Sequence, residues 1–233
     1  MDREDPAYPG QREYSPVFLR IYDPLVLGLF SPLVWRCPTT YLVERYREHV
    51  GQRHLDIGPG TGHFLERAGL PDRHPVTLMD PNVNVLGHAS RRLQRLDVTT
   101  IEADVLKPLP LEGPFDSAAL NGVLHCLPGP LSRKAAAVAN VAAVLAPTGV
   151  LFGASILGDS GRHTWLARNM LRANNRRGTF DNLDDTEDGL RQILQAPFAR
   201  VEMEVVGSMA IFAATNPRVS PRRCRASRHA LHR

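Results

Sequence analysis

The stretch HLDIGPGTGHFLERAG, residues 54–69, decides the reading of the whole chain. An apolar run enters it, three glycines (Gly58, Gly60, Gly62) fall within five residues, and an amphipathic segment leaves it. That order reads as strand, tight turn and helix start. Glycine accepts positive φ and puts no Cβ between the backbone and a ligand. The first turn of a following helix offers free N–H groups and a positive dipole end, which suit a carboxylate or phosphate. The dinucleotide fingerprint G-x-G-x-x-G is the nearest competitor, but here the third glycine comes one residue early and Pro59 sits inside the turn.

Downstream, short apolar runs alternate with helical patterns. VTLMD (76–80) and VTTIEADV (98–105) read as strands, with the helical NVLGHASRRLQRL between them. FDSAALNGV (115–123) and GVLFGASIL (149–157) are further strands, separated by the helix LSRKAAAVANVAAVL. ARVEMEVVG and SMAIFAATN are β-rich and meet at a Gly-Ser turn. Alternation of this kind predicts an α/β fold with a doubly wound, mostly parallel sheet, closed by an antiparallel C-terminal hairpin. Ligands on such sheets bind outside the carboxyl ends of the strands, where the glycine turn lies. Asp80 ends the second strand and is placed to accept ribose hydroxyls. Asp104 follows the third, where a carboxylate and a backbone N–H can meet an adenine edge.

With these four pieces in order, the sequence resembles the class I S-adenosylmethionine-dependent methyltransferases. HLDIGPGTG is similar to their glycine-rich motif, LMDPN to the ribose-binding strand end, EADV to the adenine loop and FDSAALNGVLHCLPG to the fourth-strand motif. The resemblance implies a Rossmann-like sheet of seven strands. It implies that Asp56, Gly58, Pro59, Gly60, Thr61 and Gly62 surround the methionine part of S-adenosylmethionine. Asp80, Pro81 and Asn82 would hold the ribose, Ala103, Asp104 and Val105 the adenine, and Asn121 and Gly122 would line the sulfonium side. S-adenosylhomocysteine would be the product. Taken residue by residue, Asp56 is either a turn cap or a cofactor contact, Asp80 a ribose ligand or a helix N-cap, and Asp104 an adenine ligand or a turn-former.

Three regions are expected: a helical lid segment at 1–48, a core at 49–216 with a substrate-side insertion at 159–190, and a basic tail at 217–233. The lid carries Tyr14, Tyr22, Trp35 and Arg36. In related enzymes such a segment folds over the cofactor, so Tyr22 and Arg36 are candidates for its carboxylate, and Tyr14 and Trp35 for the acceptor. Ordinary helix core is the alternative for this aromatic stripe. His125 is a candidate general base, because histidine titrates near neutrality, although the position of LHCLP favours a scaffold role. Tyr22 and His163 are further catalytic candidates, and Trp165 a substrate candidate. In FDNLDDTEDGLRQIL the acids read as a helix start, with Asp185 or Thr186 as N-cap and Leu190, Ile193 and Leu194 inward; no metal site is expected.

Composition narrows the partners. The chain has 233 residues and a net charge of +4. The six arginines of residues 217–233 exceed that excess, leaving 22 basic against 24 acidic residues in the body. A slightly acidic body argues against a nucleic-acid acceptor, and so does Asn121-Gly122-Val123-Leu124 in place of an Asn-Pro-Pro-aromatic motif. Cys37, Cys126 and Cys224 share no metal-ligand spacing and fit a reducing cytoplasm. No signal peptide is expected, and Arg20, Asp23, Pro24 and Pro32 interrupt the apolar run 17–35, so no membrane span is expected either. The expected function is methyl transfer to O, N or C of a small, partly hydrophobic molecule, as in secondary metabolism, by a monomer or homodimer. The alternatives are an RNA or protein methyltransferase docking through the tail, and a methyltransferase fold with a non-methylating role.

Overall fold

The computed structural model describes residues 23–158 and 161–218, apart from the side chains of residues 24–26 and 29. Tyr14, Tyr22 and almost all of the basic tail lie outside the described residues.

Seven strands form one sheet in the order β3-β2-β1-β4-β5-β7-β6. They are β1 (His54–Ile57), β2 (Pro75–Met79), β3 (Asp97–Ile101), β4 (Phe115–Asn121), β5 (Leu145–Ile156), β6 (Phe198–Val206) and β7 (Met209–Pro217). The first five run parallel, and β7 lies antiparallel between β5 and β6. The strand order turns back between β1 and β4, so a crevice opens at their carboxyl ends. Every residue of β1 is buried, as the central strand of a doubly covered sheet should be.

Helices cover both faces: α1 (Thr39–His49), α2 (His63–Arg67), α3 (Val83–Arg92), α4 (Leu131–Ala142), α5 (Trp165–Arg177) and α6 (Glu187–Gln195). Leu65, Leu86, Ala89 and Leu93 pack with Tyr46 on one face of the sheet. Ala137, Val138, Val141, Leu190 and Leu194 fill the other. A third cluster joins Trp35, Leu42, Ala167 and Leu171 to Ile156 and Met209, the carboxyl end of β5 and the start of β7.

Some boundaries differ from the sequence reading. The third strand stops at Ile101, because Asp104 turns the chain by accepting the N–H of Leu106 at 2.9 Å. The helix read through Leu145 stops at Ala142, and β5 begins at Leu145. The N-terminal segment is not one helix. A π-helical stretch, Asp23–Phe30, leads into a short turn, Ser31–Leu33, and the chain breaks at Arg36 (φ 53°) before α1. Pro38 precedes α1 and holds extended backbone, where its ring suits a helix entry. Thr186 caps α6 by accepting the N–H of Gly189, with Leu190, Ile193 and Leu194 buried. Among the described residues no helix is long and apolar enough to cross a membrane.

Candidate active site

A cavity of about 610 Å³ runs along the carboxyl edge of the sheet. Its size falls within the usual range for small-molecule sites. The glycine turn forms its floor. The Gly58 N–H donates to Met79 O at 2.8 Å, which ties the end of β1 to the end of β2. Gly60 has φ 55°, and a Cβ built there would meet nothing within 4 Å. At Gly58 (φ 66°) a Cβ would come within 2.6 Å of Val123 Cγ2, so that glycine serves close packing against the β4 motif.

Beyond β2 and β3 the wall is polar. Asp80, Pro81 and Asn82 line it, followed by Ala103, Asp104 and Val105. Asp80 Oδ1 accepts the N–H of Asn82 at 2.7 Å. Burial pushes the Asp80 carboxyl up to about 7, against the pull of that N–H. Asp80 is not the cap of α3; Asn82 is, accepting the N–H of Asn84.

Beyond Asn121 and Gly122 the wall turns apolar and aromatic, with Phe30, Trp35, Met170, Phe180 and Met209. Phe180 stands edge-on to His125, with ring centroids 4.6 Å apart. His125 Nδ1 accepts the backbone N–H of Ile156 at 3.2 Å. Burial, helped by the charge of Lys134, lowers the His125 pKa to about 3. The ring is therefore neutral, and its proton sits on Nε2.

This apolar wall depends on a buried network that the sequence reading missed. Lys134 is fully buried on the apolar stripe of α4. Its Nζ meets Asp185 Oδ2 and Asp181 O, each at 2.6 Å. Asp181 N–H donates to His125 O, Asp185 O accepts the N–H of Gly158, and Asn182 Nδ2 donates to Ile156 O. The loop carrying Thr179 and Phe180 is thereby stapled to the ends of β4 and β5. A lysine among alanines and valines at helical spacing, with five acids some 50 residues later, was the available signal.

Other expected residues lie elsewhere. Asp56 does not line the cavity. It is buried behind the turn, with the Tyr46 hydroxyl 3.3 Å from both carboxylate oxygens, and burial pushes its carboxyl up to about 8. Thr61 donates to Asp23 at 2.5 Å, and His63 and Arg92 also bind that carboxylate. Burial opposes these bonds, yet together they hold Asp23 well below the usual carboxylate range. They clamp the N-terminal segment onto the glycine turn, a role that the sequence pattern, in which Asp23 only interrupts an apolar run, does not reveal. Pro59 and Thr61 line a small adjoining space, and Gly62 caps α2 with left-handed backbone. Arg36 turns outward and donates to Arg162 O. His163 is buried off the cavity, its ring nitrogens engaged by Ser208 Oγ and Gly158 O. Trp165 is 76 % exposed at the start of α5. No group of His, Cys, Asp and Glu able to hold a metal occurs among the described residues.

The chain is similar in sequence and in fold to known proteins. A family model described as "Methyltransferase domain" matches residues 55–151. Demethylluteothin O-methyltransferase of Streptomyces thioluteus is 40% identical over 211 residues, which is 88% of this chain and 90% of that protein. The physcion biosynthesis cluster O-methyltransferase of Aspergillus chevalieri is 35% identical over 222 residues, 94% of this chain and 100% of that one. The structure of N-methyltransferase NodS from Bradyrhizobium japonicum WM9, in complex with S-adenosyl-L-homocysteine, covers 76% of this chain and 85% of its own, with a TM-score of 0.56 at 19% identity. At that identity the likeness speaks for the fold alone.

Proposed function

The chain belongs to the methyltransferase family, and from that premise we propose that it moves a methyl group from S-adenosylmethionine to O, N or C of a small, partly hydrophobic molecule of natural-product type. The observation that carries this reading is one cavity with two unlike ends. Asp80 and Asp104 line one end, Phe30, Trp35 and Phe180 the other, and Gly60, Asn121 and Gly122 lie between them.

The residues fit the cofactor. The raised Asp80 carboxyl has an oxygen besides the one held by Asn82, and a vicinal diol would supply the donors it lacks. The open space over Gly60 admits a ligand against bare backbone. When bound, the cofactor supplies a methyl carbon already activated by a sulfonium. What remains for the chain is to align the acceptor with that carbon and to exclude water. The aromatic wall does both. His125 contributes a donor at Nε2 and takes no proton at Nδ1, because the Ile156 N–H occupies it. Acceptors of the type named for the relatives, metabolites of biosynthetic clusters, suit a wall of this chemistry.

Titration calorimetry with S-adenosylmethionine, S-adenosylhomocysteine and NAD tests the reading. Binding of both sulfur nucleosides and none of NAD is expected. Binding of neither sulfur nucleoside would overturn it.

A further inference from the structure

The stretch from Asp23 to Trp35 walls one side of the cavity with Leu27, Phe30 and Ser31, yet it belongs to no strand of the sheet. Its two ends are held in different ways. At the far end Trp35 O accepts the N–H of Ser208 at 2.8 Å, and a Cβ at Gly207 would come within 2.2 Å of that oxygen. The backbone itself is locked there against the turn between β6 and β7. At the near end the tie among the described residues is one side chain. Asp23 Oδ1 accepts from Thr61 Oγ1 at 2.5 Å, and Oδ2 meets Arg92 Nη1 and, at 3.2 Å, His63 Nδ1. Between the ends the described hydrogen bonds stay within residues 27–39: Val34 and Trp35 N–H to Phe30 O, Ser31 Oγ to Cys37 O, and Thr39 Oγ1 to Leu27 O. The stretch is a strap, fixed by backbone at one end and by an ion cluster at the other.

That cluster grips the glycine turn and its neighbours, not the sheet. Thr61 follows Gly60 in the turn, His63 and Glu66 lie on α2, and Arg92 ends α3, the helix that starts just after Asp80, Pro81 and Asn82. Arg92 Nη2 also meets Glu66 Oε2 at 2.6 Å, and its Nη1 lies 3.2 Å from Thr61 Oγ1. One guanidinium therefore joins the strap, the glycine turn and both helices that flank it. The Asp23 and Arg92 side chains are 23% and 22% exposed, so water can take over their hydrogen bonds when they part. A fully buried pair would leave two stranded charges instead. Parting this pair frees the near end of the strap and leaves the far anchor in place.

We propose that Asp23 and Arg92 are a positioning pair: their junction seats Leu27 and Phe30 over the bound cofactor, and its opening sets the rate at which the demethylated cofactor leaves. This rests on the reading of the cavity as a methyltransferase site and adds what controls exchange there. Neither residue lines the cavity. Both act through residues that do, Asp23 through the strap and Arg92 through Asp23.

The test times release. Full-length protein is loaded with tritiated S-adenosylhomocysteine and chased with excess unlabelled ligand, in wild type, Asp23→Asn, Arg92→Gln and the double variant. Loss of a charge-assisted contact should speed dissociation roughly tenfold in each single variant. The double variant should be little faster than either single, because both substitutions remove the same contact. Hydrogen-exchange mass spectrometry of the ligand-free proteins adds a readout that general loosening would not give. Residues 27–35 should exchange faster in Asp23→Asn, while β4 exchanges as in wild type. An unchanged dissociation rate in Asp23→Asn overturns the proposal. So do single effects that multiply in the double variant. Faster dissociation without faster exchange at 27–35, or with equally faster exchange in β4, overturns it as well. If wild type retains no S-adenosylhomocysteine before the chase, the methyltransferase reading of the cavity fails and takes the proposal with it, a result distinct from the others.

Discussion

The two ends of the cavity are built differently. The end at β1–β3 is made from contiguous motifs: a glycine turn, a strand end and a loop, each only a few residues long. The end at β4 and β5 is assembled from Trp35, His125, α5 and Phe180, which are scattered along the chain. The first end offers the Asp80 carboxyl, raised by burial. The second offers apolar rings and the His125 donor, held in place by a buried lysine and its partners. Local motifs suffice where the ligand is common to a whole family. A particular acceptor demands a wall that distant segments build together.

The largest expected break in this comparison comes from Lys134→Met. It strands Asp185 in the core, and removing one partner of a buried ion pair costs about 3–5 kcal/mol. Urea unfolding should show that loss, and adding Asp185→Leu should recover part of it. In protein that remains folded, S-adenosylhomocysteine affinity should be near wild type while acceptor KM rises. Equal damage to both would mean that the two ends are not separable.

Asp80→Ala strikes the other end. Lost hydrogen bonds to a charged group should weaken S-adenosylhomocysteine binding by about 1–3 kcal/mol, with acceptor KM little changed. Calorimetry that finds wild-type affinity would remove Asp80 from the cofactor site.

Acidity sharpens the contrast further. With its carboxyl at about 8 when folded and an ordinary value when unfolded, Asp56 makes the native state bind the extra proton between those values. Its contribution to stability is therefore complete at low pH and fades as pH rises through 8. From pH 6.5 to 8 the wild type should lose roughly 1–2 kcal/mol, with Asp80 adding a smaller loss of the same sign. His54 and His125 are held neutral by burial and act with the opposite sign, but only below about 6.5. Asp56→Asn should flatten most of the slope in urea midpoints measured at pH 6.5 and 8. A slope that persists unchanged would refute the assignment to Asp56.

The smallest effect is expected at the residue that looks most like a catalyst. A general base contributes roughly 100-fold or more, but the donor geometry of His125 predicts less than about tenfold loss of turnover in His125→Ala. A hundredfold loss in a folded variant would restore the base.

The amino-acid sequence by itself determined the sheet, the glycine turn and the strand-end positions of Asp80 and Asp104. Strand and helix periods are local, and a turn of positive-φ glycines aims its own neighbours within a few residues. Only the tertiary structure decided that His163 is sealed between Ser208 and Gly158, that Trp165 faces outward, and that Arg36 turns away from the cavity. It alone put Asp56 behind the turn with Tyr46. The proton on His125 is fixed by an amide 31 residues away, and Lys134 meets Asp185 across 51 residues. Side-chain direction at such positions depends on which helices pack against which strand ends, and no local pattern carries that information.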